Sequence, residues 1–141
     1  MKILAVGAHP DDVEVGCGAT LAFSKRRGHE VYFLVLTKGE ASGDPKIREA
    51  ECIKSARVIG ADKLFFGKLE DTKITEGIGT IMEIENVINQ VKPDLILAHS
   101  IKDTHQDHRN TGLAAISASR NLKRVLLYES PASPREFCPQ V

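Results

Sequence analysis

Residues 3–12 read ILAVGAHPDD, and the way that stretch divides decides the fold. Ile3 to Val6 is a continuous apolar run with no polar alternation, the mark of a strand covered on both faces. His9, Pro10, Asp11 and Asp12 follow at once. An imidazole and two carboxylates are costly to gather at the end of a buried strand unless a cation sits among them. The stretch therefore predicts a core strand and raises the question of a metal at its end, which the rest of the chain has to answer.

Working outward, strands alternate with helices. Residues 16–27 predict a helix closed by Gly28, and Val31 to Thr37 a second strand. Residues 38–45 hold Gly39, Gly43 and Pro45 and predict a loop. Ile47, Ala50, Ile53 and Ala56 stand at helical spacing within a helix over 46–59, which Gly60 stops. Leu64 to Phe66 is a short strand, residues 78–91 an amphipathic helix ended before Pro93. Leu95 to Ala98 is a strand, residues 110–121 a helix and Val125 to Tyr128 a strand. Near-continuous apolar strands in this order predict an α/β, three-layer Rossmann-like fold. Its sheet is mostly parallel, with about five strands in the order 3-2-1-4-5 and helices on both faces. No internal repeat or linker divides the chain, so residues 1–141 are expected to form a single domain.

Composition narrows the class. The chain is 42% hydrophobic and 27% charged with zero formal net charge, which suits a soluble globule and points away from nucleic-acid or anionic-membrane partners. Cys17, Cys52 and Cys138 are widely spaced and form no CxxC pair, as expected of buried thiols in a reducing compartment rather than disulfides or a thiolate metal site. The apolar run before His9 is too short for a signal-peptide core and no stretch reaches membrane-spanning length, so the expected location is cytoplasmic.

In an open parallel sheet, ligands bind at the carboxyl ends of the strands where the strand order reverses. Here that crevice lies between the first and fourth strands. The segment after one is AHPDDVE and after the other HSIKDTHQDHRN. They carry four of the five histidines, His9, His99, His105 and His108, while His29 sits in a surface turn. His9 and Asp12 are close enough to aim at one point, with His108 completing the set from the far wall. Two histidines and one carboxylate with an open position describe a catalytic zinc site, and zinc lowers the pKa of its bound water to roughly 7. Asp11 is then free to act as general base. His105 can stabilise an oxyanion or protonate a leaving amine, and Asp107 can fix one imidazole by a hydrogen bond. The same donor set also suits non-haem iron(II). Taken singly, HPDD reads equally as a turn in which Asp12 caps a helix, and DTHQDH as a polar loop with Asp107 near a helix start.

Other residues carry weaker signals. Gly16 and Gly18 resemble part of a dinucleotide fingerprint, but Leu21 stands where its third glycine belongs, so close helix packing is expected. Glu14 is read as structural, Glu40 as a loop acid or a residue at the cleft mouth, and Asp103 with Arg109 as a pair holding the second loop. His99, directly after the fourth strand, is expected as a hydrogen-bonded core imidazole, with a place in the pocket wall as the alternative.

AHPDDVEVGCGATL and DTHQDHR, together with the intervening TKGEASGDPKIREAECIKSARVIGA, resemble the PIG-L (LmbE-like) N-acetylglucosaminyl deacetylases over essentially the whole chain. The resemblance implies a zinc hydrolase that removes the acetyl group from an N-acetylglucosamine-type amino sugar or glycoconjugate. It implies that His9, Asp12 and His108 hold zinc, that Asp11 is the base, that His105 faces the oxyanion and leaving amine, and that Asp107 supports them. Arg48 resembles a family arginine that contacts substrate hydroxyls. Members of the family usually continue beyond the segment that ESPASPREFCPQV begins, so the domain is expected to lack their C-terminal part. Pro131, Pro134 and Pro139 make that tail irregular, and Phe137 is expected to pack. A metal-binding module without catalysis is the alternative, and a homo-oligomer is left open.

Overall fold

A computed structural model describes residues 1–131. Strands β1 (Lys2–Gly7), β2 (Glu30–Val35), β3 (Lys63–Phe66), β4 (Leu95–His99) and β5 (Val125–Tyr128) form one sheet in the order 3-2-1-4-5. All four pairings are parallel. Helices α1 (Asp12–Arg26), α2 (Pro45–Ile59), α3 (Ile78–Val91) and α4 (Gln106–Ala118) connect them. The fold class and strand order expected from the sequence are those observed.

The apolar run of β1 follows from its place at the centre of the sheet. Leu4 and Val6 pack with Ile84, Val87 and Ala115 of α3 and α4 on one face. Ile3 and Ala5 pack with Val13, Leu21 and Ala56 of α1 and α2 on the other. Side chains alternate between faces along a strand, so a strand covered twice must be apolar at every position. Each buried Leu or Val contributes about 1.5–3 kcal/mol.

Two helix starts differ from expectation, and both differences build the site. α1 begins at Asp12 rather than residue 16, because Asp11 takes a left-handed conformation (φ 95°) that turns the chain into the helix at once. Asp12 is not the cap: its Oδ2 accepts the His9 N–H at 2.7 Å. α4 begins at Gln106 rather than residue 110. Its cap is His105, whose Nδ1 accepts the Asp107 N–H at 3.2 Å, an acceptor outside the Ser, Thr, Asp and Asn set that marks most helix starts. β4 also runs one residue further, pairing His99 with Tyr128.

Gly16 and Gly18 serve packing. A Cβ on Gly16 would lie 2.3 Å from the Tyr128 ring, and one on Gly18 3.3 Å from Ile59. Cys17 and Cys52 are buried and free. Pro134, Phe137, Cys138 and Pro139 lie outside the described residues, as does any test of how the tail packs. Among the described residues no helix is long and apolar enough to cross a membrane.

Candidate metal centre

The carboxyl ends of β1 and β4 lie side by side, and the two histidine-aspartate segments meet above them. His9 ends the turn after β1, Asp12 opens α1, and His108 lies in the first turn of α4. The rings of His9 and His108 are 5.4 Å apart between centroids. Asp12 sits between them, with Oδ2 3.4 Å from His9 Nδ1 and Oδ1 3.2 Å from His108 Nε2. One ligand atom from each of the three residues lies within 4.8 Å of the others, and all three residues are buried. Bonds of about 2.0–2.2 Å at tetrahedral angles place neighbouring nitrogen and oxygen ligands about 3.3–3.6 Å apart, so this donor set fits a zinc-sized cation.

The outer nitrogens of both rings are held by carboxylates. His9 Nε2 lies 3.0 Å from Asp71 Oδ1 and 3.1 Å from Asp107 Oδ2. His108 Nδ1 lies 3.1 Å from Asp103 Oδ2, which also accepts the Ser130 hydroxyl. Carboxylates on the far nitrogen fix ring orientation and make the inner nitrogen a better ligand. Asp107 is fully buried; its Oδ2 also accepts the Thr72 N–H at 2.8 Å.

Charge in the cluster is tightly coupled. Burial works against a charged His9, but hydrogen bonds and charge from Asp12, with Asp107 and Asp71 behind, lift its pKa to about 9. Burial would raise Asp12, yet hydrogen bonds from His108, His9 and His99 hold it far below the ordinary carboxylate range. His108 is raised by Asp12 and Asp103 against the opposing effect of burial. His105 is lowered by burial and by its neighbours His108 and His9. The centre thus favours positive charge among its carboxylates, as a cation site requires.

At the mouth, Asp11 is exposed and raised by burial of part of its carboxyl and by the Asp12 charge, against the pull of Arg48. Arg48 Nη2 lies 3.3 Å from Asp11 Oδ2 and donates to the Pro10 carbonyl at 2.8 Å, while Nη1 reaches Gly39 O and Ser42. The His105 ring stands 5.0 Å from His9 and stacks at 4.5 Å on His108.

A family model for the GlcNAc-PI de-N-acetylases, PIG-L, matches residues 4–119. The chain belongs to the PIG-L family. The uncharacterized deacetylase YaiS of Escherichia coli is 33% identical to it over 146 residues, 99% of this chain and 79% of its own. The diacetylchitobiose deacetylase of Thermococcus kodakarensis is 31% identical over 129 residues, 83% of this chain and 48% of its own. Among solved structures, the conserved protein TT1542 of Thermus thermophilus superposes with a TM-score of 0.90 at 26% identity, covering 99% of this chain and 69% of that one. The PIG-L chain described here thus spans about half of the Thermococcus protein.

In this PIG-L domain every residue singled out from the sequence as ligand, base or acid lies at one end of the sheet. Some details differ from expectation. Arg109 Nη1 donates to the carbonyls of Asp103 and Thr104, while the Asp103 carboxylate turns inward to His108. The backbone and not the side chain of Asp103 is what Arg109 grips. Glu40 is tied to the Asp71 N–H at 2.8 Å, and Glu14 accepts the Ser55 hydroxyl. Asp71 itself escaped the sequence reading. Its one signal was its place in the loop after the third strand, on the ligand-bearing edge of the sheet.

Proposed function

We propose that this PIG-L domain is a zinc-dependent N-deacetylase that hydrolyses the amide of an N-acetylglucosamine-type amino sugar or conjugate. The observation that carries the reading is the buried His9–Asp12–His108 set with Asp11 beside it at the mouth. The Thermococcus relative, a diacetylchitobiose deacetylase by name, supports the substrate class. Bound at those three residues, zinc supplies Lewis acidity toward the amide oxygen and an acidified water.

The protein's own groups do the proton work. Asp11 takes a proton from the attacking water at a carboxylate oxygen. Arg48 steadies that carboxylate through Oδ2 and stands ready for sugar hydroxyls beside it. His105 accepts the Asp107 N–H at Nδ1, so the proton of its neutral ring sits on Nε2. That N–H donates a hydrogen bond to the developing oxyanion. The C–N bond breaks as the leaving nitrogen receives the proton that Asp11 took from the water, and acetate leaves. Asp107 and Asp71 hold His9, and Asp103 holds His108. The balanced charge and the buried free thiols Cys17 and Cys52 support a cytoplasmic setting.

The test is acetate release from N-acetylglucosamine, diacetylchitobiose and lipid-linked N-acetylglucosaminides, alongside elemental analysis. Zinc at one ion per chain with release of acetate is expected, and Asp11→Asn should slow turnover by about 100-fold or more while keeping the metal. Unchanged turnover in Asp11→Asn removes the assigned base. Bound zinc with no hydrolysis of any substrate favours the metal-binding module.

A further inference from the structure

His99 has no part in the chemistry above, yet it is fully buried beneath the centre. It is the last residue of β4, where no substrate can touch it. Its Nε2 lies 3.0 Å from Asp12 Oδ2, the oxygen that also accepts the His9 N–H at 2.7 Å. Asp12 Oδ1 is left facing His108 Nε2 at 3.2 Å. Oδ2 thus carries two donors, with His9 Nδ1 3.4 Å away, while Oδ1 has only His108 Nε2 before it, and this gives the carboxylate a defined sense.

The tautomer follows from what surrounds the ring. His99 Nδ1 is buried and has no partner among the described residues. A proton on Nδ1 would bury an unanswered N–H, whereas a bare lone pair there costs less. A proton on Nε2 gives Asp12 its second donor. The Ala8 N–H, 3.3 Å from the same nitrogen, is the contact this tautomer forgoes. The ring is fixed in place as well. It stacks on His108 with centroids 4.0 Å apart and planes 8° off parallel, and it leans at 4.7 Å on Tyr128.

We propose that His99 is a positioning residue of the metal centre: its Nε2–H holds Asp12 Oδ2, so that Oδ1 alone is presented to the cation. This rests on the metal reading above. Each of the three ligands then has its own buried keeper, with Asp71 and Asp107 on His9, Asp103 on His108 and His99 on Asp12.

Two measurements test it. Long-range 15N–1H NMR of the wild-type protein should show the His99 ring protonated at Nε2 and bare at Nδ1; a proton on Nδ1 overturns the proposal. In competition against a chelator, His99→Leu should bind Zn2+ about 10–100-fold more weakly, and His99→Gln, whose amide can reach Asp12, within about 3-fold of wild type. Wild-type affinity in a folded His99→Leu, or equal loss in both variants, overturns it. If His99→Leu does not fold, the NMR result on the wild type decides. Failure of the wild-type protein to bind zinc counts instead against the proposed function, and the ring tautomer of the metal-free protein still reports on the Asp12 hydrogen bond.

Discussion

Asp11 holds φ 95° without the freedom of glycine, a conformation that is unfavourable for a residue with a Cβ. The strain aims its carboxyl at the mouth and lets α1 start at Asp12, with the Asp12 carboxyl turned inward. Asp11→Gly should therefore raise stability by about 1 kcal/mol in urea denaturation while losing turnover; a fall in stability would show that the Arg48 contact outweighs the strain. At this scale the sequence disclosed the candidate ligands and one supporting acid, Asp107, but not Asp71. His9, Asp12 and His108 announce themselves as histidines and a carboxylate after strand ends. Asp71 is one acid in a loop of mixed composition, and nothing local links it to His9.

Among the elements, close packing sets what can change. A Cβ on Gly16 meets the Tyr128 ring at 2.3 Å, and that ring is tied by its hydroxyl to Val6 O at 2.9 Å. Gly16→Ala should push α1 off β5 and cost about 1–3 kcal/mol, read as a lower thermal midpoint. A second link runs through Asp62, whose carboxylate takes Lys25 of α1 at 2.6 Å and the Val31 N–H of β2 at 2.8 Å. Slight burial lifts Asp62, but Lys25 and Val31 prevail and hold it below the ordinary value of 3.8. A carboxyl depressed in the folded state stabilises above its unfolded pKa, and that stability fades as pH drops through and below about 4. The drop in urea midpoint from pH 7 to pH 3 should be smaller in Asp62→Asn than in wild type. Added salt should narrow the difference, since the pair is partly exposed; equal drops would exclude the link. Periodicity made the middle of each helix legible, while the starts of α1 and α4 were hidden. One turns on a left-handed aspartate and the other on a histidine cap, neither of which is a common start signal.

For the whole molecule, the centre joins α1 and α4 across the sheet. A cation bound there should stabilise the fold as a ligand does, by about 2.7 kcal/mol when free zinc is 100 times its dissociation constant. Calorimetry with and without a chelator measures this, and a thermal midpoint indifferent to zinc would place no metal in the folded centre. The order of elements, the parallel sheet and the two segments facing one crevice were determined by the sequence alone, because hydrophobic period and turn residues act over a few neighbours. Only the tertiary structure decided which carboxylate serves which imidazole. His9 and Asp107 stand 98 residues apart, and His99 meets Asp12 only because β4 lies against β1. Such pairings depend on strand order and register, and those are fixed by the packing of the whole core rather than by any local stretch.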